Sequence, residues 1–182
     1  MMKKLIFTIV FVVFSMSLAN GLSIVNAQEN IQADKNLKSI ANFTKIFGEP
    51  IYKEISRLSS NSIVLNVECD SIKTQDFYIA TGILKDVGNV TEKSTFIATY
   101  QPDGTIIDTG NGIITTIDGE IATYSGIALG ITDKNGTQIY NGMHIYKTDS
   151  DGKLAFLDNL IGIYEYKHWT NGTKSGIIWE WK

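Results

Sequence analysis

The sequence predicts an all-β fold: a closed, antiparallel up-and-down barrel of eight or nine strands with a short N-terminal helix. Turn-forming pairs recur through the second half of the chain, at Asp103-Gly104, Asp118-Gly119, Asn135-Gly136, Asp151-Gly152 and Asn171-Gly172. The runs between these turns are rich in Ile, Thr, Tyr and Val, which favour strands. Strands joined by short turns pair as hairpins, and closing such a sheet removes its exposed edges.

Residues 1–27 have the features of a secretory signal peptide. Lys3 and Lys4 precede the uncharged, mostly apolar run Leu5–Leu18, and Val25-Asn26-Ala27 fits the small-x-small cleavage rule. We therefore expect cleavage before Gln28 and export to the cell envelope or the extracellular space. The alternative is an uncleaved anchor, because about 20 apolar residues suffice to span a bilayer. Contact with a membrane would then occur only through this segment.

Residues 28–50 are expected to form a helix and a linker. Asp34–Phe47 is predicted to be a short amphipathic helix, which Gly48 can end and Pro50 cannot continue. Such a helix would cap one end of the barrel or link the domain to the envelope. Residues 51–182 are expected to form the barrel domain.

Nine runs in residues 51–182 are predicted to be strands. They are Ile51–Leu58, Ser62–Cys69, Lys73–Leu84, Ser94–Gln101, Thr105–Thr116, Glu120–Thr132, Thr137–Thr148, Lys153–Lys167 and Thr173–Trp181. Glycines interrupt several of these strands, at Gly110, Gly112, Gly126, Gly142 and Gly162. Bends that close the barrel explain them best, and close approach of a ligand is the alternative.

Composition limits the classes of partner. The formal net charge is −3, and it becomes −5 when two lysines and no acids leave with the signal peptide. A mildly acidic domain does not favour nucleic acid, whose phosphates are bound by basic patches. Cys69 is the only cysteine, so no internal disulfide forms, and its alternating surroundings predict a small buried core residue.

Several strings resemble a known group of proteins. They are Gly110-Asn111-Gly112, residues 118–126, Tyr140-Asn141-Gly142, Gly152-Lys153-Leu154-Ala155-Phe156-Leu157 and Trp179-Glu180-Trp181. From Ile51 onward the chain resembles uncharacterised prokaryotic proteins similar to the allene oxide cyclase-like barrels, which are related in shape to the calycins, lipocalins and dirigent proteins. The resemblance implies a barrel. It also makes a homo-oligomer possible, since related barrels often form trimers. The catalytic residues of the plant cyclase cannot be placed here, so none is transferred.

Motifs for metal, nucleotide or nucleophilic chemistry are missing from the sequence. His144 and His168 lie far apart beside a single cysteine, and no phosphate-binding glycine loop precedes a helix. We therefore expect no metal and no cofactor. Glu165 and Glu180 lie in consecutive apolar strands, so they and His144 are the candidate catalytic residues if their side chains point inward. The alternative is that both carboxylates face water.

The even-numbered positions Tyr140, His144 and Tyr146 share one face of a predicted strand. An aromatic wall with one imidazole would suit an apolar ligand with a polar group, and core packing is the alternative. Trp179 and Trp181 are also predicted to share a face. Four Asn-x-Ser/Thr triplets are compatible with glycosylation, at Asn42, Asn89, Asn135 and Asn171.

The leading functional expectation is an exported barrel that binds a small apolar molecule. The first alternative is a cofactor-free cyclase or isomerase that shapes a bound apolar substrate, so enzymatic activity is left open. The second alternative is a structural or cell-surface interaction domain with a filled barrel. Fold alone does not decide among the three.

Overall fold

The computed structural model describes Lys38 and residues 40–59 and 62–182. Two compact units are separated at Met1–Ile46 and Phe47–Lys182. Lys38 is helical, and the helix (α1) runs over residues 40–47. Gly48, at a φ of 85°, follows α1 directly, as its predicted role in ending the helix requires. The signal segment 1–27 and the predicted helix start at Asp34 lie outside the described residues.

The described residues of the second unit form nine strands and one short 3₁₀ helix. The strands are β1 (Tyr52–Ser59), β2 (Ile63–Val67), β3 (Ile72–Leu84), β4 (Gly88–Tyr100), β5 (Thr105–Thr116), β6 (Ile121–Thr132), β7 (Gln138–Lys147), β8 (Ile161–His168) and β9 (Lys174–Glu180), and the 3₁₀ helix is Ala155–Leu157. No helix among the described residues is long and apolar enough to cross a membrane.

The sheet closes into an antiparallel barrel of eight strands with one extra strand. From β3 to β9 each strand pairs with the next along the chain, and β1 pairs with both β9 and β3. The β1–β9 seam is short, with Tyr52 opposite Ile178 and Lys53 opposite Ile177. β2 pairs only with the start of β3, outside the closed ring. The predicted closed up-and-down barrel is therefore confirmed.

Glycines at positive φ build four of the predicted hairpin turns. Gly104, Gly119, Gly136 and Gly172 have φ between 81° and 92°, a region that L side chains rarely adopt. Polar side chains in these turn segments add support: Asp103, for example, accepts a hydrogen bond of 2.9 Å from the Thr105 N–H. Local turn chemistry thus sets the register of these hairpins.

The connection between β7 and β8 corrects one strand prediction. The sequence predicts a strand over Lys153–Lys167. In the structure residues 153–160 are not part of this strand, and β8 begins at Ile161. Leu154, Leu157 and Leu160 are spaced by three residues, which suits the three-residue repeat of a 3₁₀ turn better than the two-residue repeat of a strand. All three are buried, and with Leu84, Val90 and Ile114 they belong to an apolar cluster that we call the plug.

Two further predictions are wrong because they assume that every strand belongs to the barrel wall for its full length. Cys69 is exposed, since it follows β2, whose five residues all lie outside the closed ring and are exposed. Trp179 is completely buried, whereas Trp181 is 55% exposed because it follows the end of β9 at Glu180. The two tryptophans therefore do not share one environment.

Candidate ligand chamber

A chamber of about 330 Å³ occupies the barrel interior beyond the plug. Its rim lies where β1 and β8 end and β7 and β9 begin, and consists of Ser59, Ser62, Gln138, His168 and Lys174. The walls share an aromatic character, contributed by Tyr52, Tyr78, Phe96, Tyr100, Tyr140, His144, Tyr164 and Tyr166. A volume of this size matches the lower range of pockets for small organic ligands.

Strand glycines make room for the aromatic rings. A Cβ added to Gly126 would lie 2.7 Å from Cδ2 of His144, and one added to Gly130 would lie 2.5 Å from Cε1 of Tyr140. Gly82, Gly112 and Gly142 meet tyrosine rings in the same way. These strand glycines therefore leave room for a group that approaches the backbone closely. The approaching groups are side chains of neighbouring strands, whereas the alternative prediction was a ligand.

Arg57 is the only arginine in the chain, and it lies inside the barrel. Its guanidinium carbon is 3.7 Å from the ring centroid of Tyr78 and 4.1 Å from that of Tyr166. Its Nε and one terminal nitrogen donate to Oε2 of Glu54 at 2.8 and 2.5 Å. A planar cation that stacks and donates two bonds at once is a role that lysine cannot fill.

Glu92 is a buried carboxylate in the deep part of the chamber. The Tyr78 hydroxyl donates to its Oε1 at 2.7 Å, and the Tyr124 hydroxyl makes a second, shorter bond to the same oxygen. Ser94 Oγ lies 2.7 Å from the Tyr124 hydroxyl and extends the network. Burial, followed by the Glu92 charge, raises the pKa of Tyr124 well above its ordinary value, so this phenol stays protonated.

Asp108 lacks the support that Glu92 has. Its neighbours across the ladder are Ala98 on β4 and Ala128 on β6, which offer no donor side chain. Its Oδ1 is buried and has no hydrogen-bond partner among the described residues. Burial, together with the nearby charge of Asp76, raises the pKa of Asp108 to about 7.

His144, a predicted site residue, does line the chamber. Its ring stacks on Tyr124 at a centroid distance of 4.0 Å and lies 4.4 Å from that of Tyr164. Nδ1 is 3.2 Å from the Tyr146 hydroxyl, whereas Nε2 is buried without a partner among the described residues. Burial, and then Arg57, lowers the pKa of His144 to about 3, so the ring is neutral at physiological pH.

Of the other predicted site residues, Tyr140 and Glu165 also line the chamber, whereas Tyr146 and Glu180 do not. Tyr146 packs behind the lining, where its ring centroid lies 5.8 Å from that of His144. Glu165 is opposite Ile177 in the β8–β9 ladder and Glu180 is opposite Gly162, so the two carboxylates are not neighbours. Glu165 instead accepts a bond of 2.8 Å from Lys167. The four sequon asparagines, Asn42, Asn89, Asn135 and Asn171, are exposed.

Sequence reasoning missed four charged groups that line the chamber, Arg57, Asp76, Glu92 and Asp108, and also missed Glu54, which pairs with Arg57. One signal could have found Asp108, because it is the single acid on the even-numbered face of β5, between Ile106 and Gly110. No group of three or more His, Cys, Asp or Glu is placed to hold a metal ion in the part of the chain that the structure describes.

Comparison with protein-family models, curated proteins and solved structures gave no match. The class that fold and chamber define is therefore a closed, eight-stranded antiparallel barrel, compatible with a calycin-like fold. No relative supplies a ligand or a reaction, and the functional argument depends on the chamber itself.

Proposed function

We propose that this protein is an exported barrel that binds a small organic molecule with an apolar body inside its chamber. The observation that carries the proposal is the chamber of about 330 Å³ walled by aromatic side chains. Apolar pockets with a few converging polar groups are the usual form of a small-molecule site. The orphaned polar atoms of Asp108 and His144 add the polar groups.

The signal-like segment 1–27 supports export, and the resemblance to allene oxide cyclase-like barrels supports a ligand-holding interior. Both features come from the sequence. Glycosylation at the four exposed sequons would be consistent with an exported surface. Export, a ligand-holding interior and glycosylation are all parts of the proposal.

Native mass spectrometry of residues 28–182, purified gently from the natural source, tests the proposal. We expect a reproducible adduct that is lost on collisional activation. The variant Ala98→Met fills the chamber from a wall position, and Thr99→Met changes the adjacent residue on the other face of β4. Loss of the adduct in the Ala98 variant alone supports the site. An adduct that both variants retain places the ligand elsewhere and overturns the proposal.

Catalysis is the second candidate, and Asp108 is the observation that favours it. A carboxyl group with a pKa of about 7 can both take and return a proton at neutral pH. A cofactor-free isomerase would use Asp108 as its base, with tyrosine hydroxyls as donors to the charge that develops. The molecule released from the protein tests this: incubated with fresh protein in D₂O, it gains deuterium if Asp108 catalyses proton exchange, and Asp108→Asn abolishes the gain.

A homo-oligomer is a further proposal, based on the outer wall. β6 exposes Ile121, Ile127, Leu129 and Ile131, each 45–53% accessible, and Ile145 of β7 continues the surface. Contiguous apolar patches of this kind on a monomer mark an interaction surface. We assign this face to a second copy of the chain. Sedimentation of wild type and Leu129→Lys at one concentration should give an oligomer and a smaller species, respectively.

A further inference from the structure

We infer that the chamber's ligand is a small organic cation, with its ammonium beside Asp108 and its apolar body against the tyrosine rings. This inference depends on the proposed ligand-binding function and adds the chemical class of the ligand. Three features of the chamber carry it: an uncompensated acidic charge, an aromatic enclosure of that charge and orphaned polar atoms in the floor.

The first feature is the balance of charge. Arg57 is matched by Glu54, to which it donates two bonds. Lys174, at the rim, donates to Ser59 Oγ at 2.8 Å. Asp76 and Asp108 form no ion pair among the described residues. Of the other wall carboxylates, Glu165 accepts a bond from Lys167, and Glu92 accepts bonds from the Tyr78 and Tyr124 hydroxyls. Asp76 and Asp108 are close enough to affect each other, and a cation between them would relieve their repulsion.

The second feature is the aromatic enclosure of these two acids. Asp108 is one of the charges that raise the pKa values of Tyr100, Tyr140 and Tyr164, after burial in each case, so it lies within electrostatic reach of all three rings. These rings come from three strands, β4, β7 and β8. All three rings line the same chamber as Asp108, and aromatic rings are groups that recognise organic ammonium ions.

The third feature is independent of the acids. His144 is 4% exposed and lines the chamber, yet its Nε2 has no partner among the described residues. Tyr52 is 2% exposed and also lines the chamber, and its hydroxyl is likewise unpartnered. Buried polar groups normally find partners, so these orphans mark a place where a ligand, rather than protein, completes the bonding.

Other ligand classes fit less well. An anion would meet two unpaired carboxylates, and the only guanidinium is already bound to Glu54. A metal site of the usual kind would need a group of three or more His, Cys, Asp or Glu side chains, and no such group is present among the described residues. A neutral apolar molecule would leave Asp108 buried without a partner, a cost that it cannot offset.

Three matched probes test the inference: 2-phenylethylamine, 2-phenylethanol and phenylacetate, titrated calorimetrically at pH 8 into residues 28–182. They share a benzyl body and differ in charge. We expect the amine to bind at least tenfold more tightly than the alcohol, and phenylacetate to bind weakest. Asp108→Asn should reduce the preference for the amine over the alcohol to less than threefold. Asp151→Asn, an exposed acid on the β7–β8 connection, is the control and should leave it unchanged.

The pH dependence gives a second readout. Asp108 faces Asp76 from β3, Tyr100 from β4, Tyr140 from β7 and Tyr164 from β8. The pKa of Asp108 is raised to about 7, so amine affinity should fall about tenfold between pH 8 and pH 6 as this carboxylate is protonated. Affinity for the alcohol should not change over the same range.

The outcomes separate the two proposals. Equal binding of amine and alcohol, or tightest binding of phenylacetate, overturns the cation inference and leaves a ligand-binding barrel. If none of the three probes binds and the native chain carries no adduct, the proposed function itself fails. Asp76→Asn supplies an independent variant, which should weaken amine binding without affecting the alcohol.

Discussion

Replacing Asp108 by Asn should make the barrel more stable at neutral pH, although it alters a residue of the candidate site. In the folded chain the pKa of this carboxyl is raised from its usual 3.8 to about 7. The unfolded chain therefore ionises Asp108 at lower pH than the folded chain does. Ionisation favours the unfolded state, so the wild type loses stability as pH rises from about 4 to about 7.

The magnitude follows from the difference between the two pKa values. Each pKa unit corresponds to about 1.4 kcal/mol, so the folded chain loses about 4 kcal/mol between pH 4 and pH 7 through this one group. Above pH 7 the carboxyl is ionised in both states, and the loss stays constant. Asn cannot ionise, so its variant should gain on the wild type by about this amount over the same interval.

Urea unfolding of both proteins at intervals from pH 4 to pH 8.5 measures the effect. The quantity to plot is the difference in free energy of unfolding between Asp108→Asn and the wild type, which removes the contribution of all other titrating groups. Asp151→Asn, an exposed acid, is the control, and its difference should stay flat. A flat difference for Asp108→Asn as well, or one that favours the wild type above pH 7, would refute the assignment of a buried, unsupported carboxyl.

Three further perturbations test the interior packing and charge pairing, each by urea unfolding. Gly126→Ala places a methyl group 2.7 Å from the imidazole that crosses it, which should cost about 1–3 kcal/mol, whereas Ser125→Ala on the outer face should cost less than half of that. Arg57→Met leaves Glu54 buried and unpaired, at a cost of about 3–5 kcal/mol, and adding Glu54→Gln should recover at least half of the loss. Trp179→Ala should cost about 3–5 kcal/mol and Trp181→Ala less than 1 kcal/mol, and equal losses would contradict their different burial.

The fold was predictable because its signals are local. Gly104, Gly119, Gly136 and Gly172 define turns by their own conformation, and alternation between the turns assigns the strands. The predictions were wrong where the burial of a residue depends on distant chain segments. The predicted strand Lys153–Lys167 ends in strand-forming residues but begins with leucines spaced by three. The sequence alone does not decide between a strand and a 3₁₀ turn, because the turn is favoured by packing of these leucines into the plug.

The candidate site was predictable only in part, and a β-bulge explains one omission. Tyr140 and His144 were found because they alternate regularly along β7. Alternation from Tyr52 would place Arg57 on the outer face. A register shift between Glu54 and Ser56 turns Arg57 inward, and the sequence of that stretch contains no residue that predicts a bulge. Asp108 was missed for a different reason, since its raised pKa depends on burial between alanines of the two neighbouring strands and on Asp76 of β3.

The difference between the apolar plug and the polar chamber disfavours a purely structural role for the barrel. Around the plug, this chain fills the interior mainly with apolar side chains such as Leu84, Ile114 and Leu154. Beyond it, the chain keeps a buried arginine, several carboxylates and unpartnered polar atoms around empty space. Apolar packing of the second half would be at least as stable, because desolvated charges seldom add net stability. The stability given up there is explained most directly by a ligand that completes the chamber.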